Sequence, residues 1–381
     1  SETYDREIED IFVIQDEISR QIVQTLKIVL GAGQESPVPA LKPTGNLDAY
    51  EFYLRGRYCW QRRGEENIRR AISLFQQATA SDQQFARAWS SLAAAYVTLP
   101  TYSDAPQDKY FSQALSAAQM ALALDNSLAE AHAVLGEMAR HERKWTEAEL
   151  HYQRAVASEP KSATAHLWYG EHLMSVGRIR DALKETLAAY QLDPLNAGTN
   201  GVLGCVYYSL NDLDNTLKYG KATWDLGNPW GLRLQAVANL YLGNIDQAII
   251  LAEQFDEQWA EFSGEVSYLK LFMEARTDLA KVPLYLKTLA EHEAEMFPWF
   301  PLSGYVSFGH VDEAFRLANT VRDATGVSLL TWWVLWRHDM AAFRQDPQFI
   351  ELVTQLGLMD YWRENGWPDT CQPAEKSVIC E

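Results

Sequence analysis

The 381-residue chain has no apolar run long enough to cross a bilayer. The longest, Gly326 to Trp336 (GVSLLTWWVLW), holds about eleven residues, against roughly 20 for a spanning helix. Positive charge is also in short supply. Lys and Arg number 33 against 51 Asp and Glu, a formal net charge of −18. A surface this acidic repels nucleic-acid phosphates and anionic membranes, and tolerates or attracts basic partners. It also serves simply to keep a stacked array soluble. No glycine-rich phosphate loop, G-x-S-x-G elbow or paired Cys-x-x-Cys occurs. His292-Glu293 opens like a zinc-protease helix, but Met296 stands where the second histidine would be. His132, His141 and His151 follow one another at nine and ten residues, spacings that do not place two on one face of a helix. Catalysis, a cofactor and a resident metal are therefore not expected of this chain.

Cysteine is scarce as well, at four. Cys59 and Cys205 lie in helical patterns and read as small buried residues. Cys371 and Cys380 lie nine apart in a tail punctuated by Pro368 and Pro373. They can close a short disulfide loop, which would imply an oxidising compartment; two free thiols on a frayed tail is the other reading.

What is plentiful is apolar and aromatic mass arranged periodically. Hydrophobic residues make up 47 %, with 13 Trp, 18 Tyr and 14 Phe to fill a core between helices. Gly136, Gly170 and Gly204 recur every 34 residues, each preceded by Leu135, Tyr169 or Leu203. Ala148, Ala182 and Thr216 keep the same period, as do Ala155, Ala189 and Thr223. Pro160 and Pro194 close the first two of these units, and Pro229 comes one residue late. A fixed period of this length means one supersecondary unit copied along the chain. A single copy cannot bury its apolar face, so neighbours stack into a solenoid, and solenoids mostly bind.

The expected organisation follows. Residues 4–30 read as an amphipathic helix with a stripe from Ile8 to Val29, and 31–45, with three Pro and three Gly, as a linker. The chain opens inside a helical pattern, as expected of a piece of something longer. Five repeats occupy 46–229. The first has an interhelix loop (RRGEEN) about three residues longer than usual, and the second carries an insert around Leu99–Gln107. Looser hairpins are expected at about 231–258, 264–292 and 298–322. Residues 323–381 are expected to form a helical cap and tail. In it Asp346-Pro347 starts a helix, and the aromatic stretch after it covers the last apolar face of the array. The fold class expected is all-α, an α-α superhelix.

With Leu/Tyr–Gly, Tyr, Ala, Phe/Tyr, Ala and Pro at these offsets, the repeats resemble the tetratricopeptide family. The likeness is strongest over 129–196 and weakest after 230. The whole chain is also similar to the C-terminal region of certain bacterial multidomain proteins. In those, a TolB-like domain leads into tetratricopeptide repeats behind a membrane helix, and the cytoplasmic part is a winged-helix transcription regulator or a class III adenylate cyclase. The segments that carry this are 2–19 (ETYDREIEDIFVIQDEIS), 46–63 (NLDAYEFYLRGRYCWQRR), 346–358 (DPQFIELVTQLGL) and 360–371 (DYWRENGWPDTC). The resemblance implies that residues 2–19 end a TolB-like domain and that the repeats lie in the periplasm.

It further implies a ligand groove on the concave face made by the first helix of each repeat. The inward positions would be Tyr50, Tyr53, Arg57 and Trp60; Arg87, Ser90 and Val97; Glu137, Arg140 and His141; Leu167, Glu171 and Met174; and Cys205 and Tyr208. Such a groove is aromatic and basic at its N-terminal end, suited to an extended peptide bearing an acidic or C-terminal carboxylate. The same aromatics could instead pack on the N-terminal helix or linker. His141, Glu137 and Glu171 would form a metal or proton-sensing cluster if adjacent first helices aligned. The function expected is non-catalytic binding of a protein or peptide, as a sensory or scaffolding module of a larger signalling protein. Self-assembly, perhaps as a homodimer through residues 4–30, and service as the regulatory part of a cyclase are the alternatives.

Overall fold

The structure, a computed structural model, describes residues 44–381 except 104, 264–265, 324–328 and 375–376. The expected helix at 4–30 and nearly all of the linker lie outside these residues. From Asn46 the chain is a succession of antiparallel helical hairpins. The first five pair Leu47–Arg62 with Glu65–Ser81, Ala86–Thr98 with Gln107–Leu124, Ala129–His141 with Trp145–Ser158, Ala163–Ser175 with Ile179–Leu192, and Ala197–Ser209 with Leu213–Asp225. Three more pair Trp230–Tyr241 with Ile245–Ser263, Leu269–Thr277 with Val282–His292, and Trp299–Ser307 with Val311–Asp323. In the first six, each first helix packs on its own second helix, and the first five also pack on the first helix of the next hairpin, so the first helices line one inner face. This is the expected α-α superhelix.

The 34-residue glycine marks the crossing of two helices. A Cβ on Gly136 would lie 2.8 Å from the Tyr152 ring, and one on Gly170 would lie 2.5 Å from Thr186 Oγ1. Gly56 seats Phe75 in the same way, and Gly204 seats Leu234 of the following hairpin. Absence of a side chain lets the axes approach, and a buried residue from the partner helix fills the space. Side-chain caps from Asn46, Ser162, Asn196 and Asp212 satisfy first-turn N–H groups.

Two expectations are corrected here. The first hairpin has no long loop: Leu47–Arg62 continues through Arg62, and only Arg63 and Gly64, both left-handed at φ 55° and 77°, separate it from Glu65. Nothing before Gly64 breaks the helical pattern, so the helix takes up the extra residues. The C-terminal region covers the last hairpin only in part. Phe343 does stack on Phe315, with centroids 4.0 Å apart. Yet helix Leu358–Asn365 lies against Trp145–Ser158, and the 3-10 helix Leu329–Trp336 lies on Ala163–Ser175. Trp336 Nε1 donates to Ser175 O and Trp362 Nε1 to Val176 O, both at 2.9 Å, while Trp145 Nε1 donates to Leu356 O at 2.7 Å. Helix C-termini leave carbonyls without intrahelical partners, and buried indoles need acceptors. The two needs meet at these turns, and the C-terminal region straps the end of the array to its middle. The tail adds two short strands, Cys371–Ala374 and Ser377–Cys380, paired antiparallel with Cys371 opposite Cys380. Their sulfurs are bonded, whereas Cys59 and Cys205 are free and buried.

Gly136→Val tests the crossing. Its branched side chain would overpack the Tyr152 ring, and overpacking costs about 1–3 kcal/mol. Urea denaturation should show a lower midpoint with an unchanged slope; an unmoved midpoint would mean that Tyr152 is not tightly seated.

A candidate binding groove

The inner face differs along its length. At its N-terminal end it opens into a concavity of about 260 Å³ running from the first hairpin to the start of the fifth. Of the residues read from the sequence, the structure brings Tyr53, Arg57, Trp60 and Arg87 to this concavity, with Ser90 and Leu167. It adds Gln61 and Arg63 from the end of the first helix, Glu130 from the third hairpin, and Lys161 and Asn196 from later turns. Arg63 escaped the sequence reading because it was placed in a loop; the signal available was the aromatic-basic run Trp60-Gln61-Arg62-Arg63.

Its charge is mixed rather than simply basic. Arg57 pairs with Glu130 and donates to Ser91 Oγ at 3.2 Å, and Ser91 Oγ donates to Glu130 at 2.7 Å. Arg63 stands 4.0 Å and Arg57 5.0 Å from the centroid of Trp60, which Trp168 meets edge-on at 6.4 Å. Among the described residues Arg63 Nη1 and Trp60 Nε1 are buried donors without an acceptor, and burial lowers the Arg63 pKa. Arg87 and Lys161 are exposed. The capped N-termini of Ala163–Ser175 and Ala197–Ser209 face the same space through Ser162 and Asn196, adding partial positive charge.

The remaining predicted positions do not line it. Tyr50 packs in a small separate cluster with Ala78 and Phe85. Glu137 and Arg140 are a buried pair at 2.5 Å; Tyr152 donates to Glu137 and Arg140 donates to Ser175 Oγ. Burial pushes the half-buried Glu171 carboxyl up to about 7 against the pull of Arg140. His141 turns toward the preceding hairpin, edge-on to Phe111 at 4.5 Å and accepting from Gln107 at 3.1 Å. Burial lowers it to about 4, so it is neutral at pH 7. The expected His141–Glu137–Glu171 cluster is thus dispersed, and among the described residues no three His, Cys, Asp or Glu gather as metal ligands. Tyr208 donates to Asp339 at 3.0 Å, buried beneath the strap with Cys205. The occupant of this half of the inner face is the chain's own C-terminal segment.

Glu149 holds that segment. Its side chain is 2 % exposed and accepts from Tyr169 at 2.7 Å, Arg178 at 3.0 Å, His172 at 3.3 Å, and Tyr361 of the strap. Burial would raise its pKa, but the hydrogen bonds from His172, Tyr361 and Tyr169 prevail and hold it down at about 2. Close by, Gly177, at φ 87°, sits where a Cβ would meet Pro368 at 2.6 Å and Trp336 at 2.8 Å.

Residues 61–110 and 140–197 match the family described as tetratricopeptide repeat, so the chain carries these repeats. It is 32 % identical, over 39 % of its length and 25 % of the other's, to a Rhizobium meliloti protein named, provisionally, adenylate cyclase 3. It is 20 % identical to the transcriptional regulator HilA of Salmonella typhimurium, over 81 % of this chain and 54 % of that protein. It therefore spans between a quarter and about half of these relatives. Among solved structures, PilF of Pseudomonas aeruginosa is similar at 19 % identity and a TM-score of 0.42, over 66 % of this chain and 96 % of that one.

Strap docking should be acid-sensitive. Glu149 titrates lower folded than unfolded, where it lies near 4.5, so its stabilisation is present above about pH 4.5 and is lost as pH falls toward 2. Protection of the Leu358–Asn365 amides, relative to their intrinsic exchange rates at each pH, should fall over that window. Tyr361→Phe should remove about 1–3 kcal/mol by taking one donor from a buried carboxylate. Protection unaffected by pH would contradict the role of Glu149.

Proposed function

We propose that these tetratricopeptide repeats form a non-catalytic peptide-binding module, the sensory or regulatory part of a larger bacterial signalling protein. One observation carries the reading. The strap fills the C-terminal half of the inner face, while among the described residues none fills the N-terminal concavity or answers the buried guanidinium N–H of Arg63 beside Trp60. The ligand that suits it is an extended peptide bearing an acidic side chain or C-terminal carboxylate. Arg63, Arg87 and Lys161 supply charge for the carboxylate, and Tyr53 and Trp60 supply flat contact area at low entropic cost. Glu130 is already engaged by Arg57 and opposes the carboxylate less than its formal charge suggests, while Glu159 and Asp193, also on the lining, confine the favourable charge to the part of the concavity beside Arg63 and Arg87.

The partial match to a cyclase and the longer one to HilA support a regulatory parent of one of those two kinds. Among the described residues no helix is long and apolar enough to cross a membrane. The Cys371–Cys380 bond supports placement in an oxidising compartment such as the periplasm.

Binding is tested by titrating a peptide library, each sequence as free acid and as amide, against the chain and its Arg63→Gln and Trp60→Ala variants. A preferred free-acid peptide should lose about tenfold or more with each variant, about 1.4 kcal/mol or more. Equal binding to both variants would refute the site. The compartment is tested separately by counting thiols in denatured, unreduced protein from its native host. Two free thiols with a linked tail peptide are expected; four would refute the placement.

A further inference from the structure

The inner face holds a second, much smaller cavity, of about 20 Å³, between Trp230–Tyr241, the hairpin Leu269–His292 and the strap. That is room for about one water-sized occupant. Two arginines line it: Arg233, on the array, is 3 % exposed, and Arg337, on the strap, is 2 % exposed. Arg337 grips Asp339 through Nε and Nη2, leaving Nη1 without a partner. Among the described residues Arg233 pairs with no carboxylate, and its Nε and Nη1 lack any acceptor. The rings of Trp230, Trp299 and Phe300 surround its guanidinium at 5.0, 4.7 and 5.3 Å. Ring faces offset part of the cost of burying a cation, but they leave N–H groups in the ring plane unanswered.

Among the described residues neighbouring groups do not supply the missing negative charge: the nearby Asp256 carboxylate is taken up by the backbone N–H groups of Leu269 and Lys270. Burial raises the Tyr208, Tyr285 and Cys205 pKa values and keeps all three protonated at neutral pH. Burial also disfavours the charged form of His338. Arg233 itself is lowered to about 10, first by burial and then by Arg337, and remains a cation at pH 7. Two guanidiniums therefore share one carboxylate around an opening the size of a small ion.

We propose that this cavity binds one monovalent anion of halide size between the unpartnered N–H groups of Arg233 and Arg337. One of these residues belongs to the array and the other to the strap, so the ion fastens the strap. Closure of the inner face then depends on the anion as well as on Glu149. This is separate from peptide binding at the N-terminal concavity.

The test uses the full chain at pH 7 and fixed ionic strength, replacing gluconate stepwise with chloride. Tm should rise by about 3 °C or more over a hundredfold increase in chloride. Arg233→Met, which keeps the length of the side chain among the rings, should abolish the rise. Crystals of the unaltered chain grown in bromide decide independently of that variant's folding. An anomalous peak between Arg233 and Arg337 is expected. A cavity without bromide, or a Tm indifferent to the replacement, would overturn the proposal and leave water as the occupant.

Discussion

A single buried carboxylate, that of Glu149, joins parts of the chain that are far apart in sequence. It sits on the second helix of the third hairpin and accepts from the first helix of the fourth, from the turn after it through Arg178, and from Tyr361 some 200 residues on. Burying a carboxylate is costly unless its lone pairs are answered. Here they are, and the answer requires all these segments to be in place together. The indoles of Trp336 and Trp362 add to the same junction by donating to carbonyls that the turns leave open. Without the strap, a repeat array would hold only neighbour to neighbour.

Closure divides the inner face. Beneath the strap, positions that line a groove in an open array become core: Met174, Cys205 and Tyr208 are nearly inaccessible. Upstream, Trp60, Arg63 and Arg87 keep their access to the concavity. The ligand surface is thereby confined to the N-terminal hairpins. A closed array is also stiffer than an open one, since its pitch cannot change without breaking buried hydrogen bonds between Trp145–Ser158 and the strap.

The repeat architecture was legible in the sequence because it is local. Gly136, Gly170 and Gly204 state the crossing of two helices within one unit, and every crossing repeats the statement. The hairpins after Pro229 could be placed for the same reason. The strap was not legible, because its partners lie in distant units and no period connects Tyr361 to Glu149. Position within a helix also says only which way a side chain starts. Tyr53 and Trp60 reach the concavity, but Tyr50, one turn earlier, is buried in the small cluster with Ala78 and Phe85. His141 is drawn sideways by Gln107 and Phe111 of the second hairpin, whose long insert no regular repeat has. Arg63 was lost because it lies just past the first helix, in a two-residue turn to which the repeat pattern assigns no direction.

The reach of the strap also bears on the order in which the fold can be completed. Hairpins form from neighbouring residues and need not wait for the rest of the chain. The junction at Glu149 cannot close until residues 336–362 have left the ribosome, well after its own helix has formed. Until then the carboxylate and the turn carbonyls at Ser175 and Val176 remain solvated. A segment made long after the third hairpin is the one that dehydrates the middle of the molecule, and a chain cut short before Trp336 would leave that surface wet.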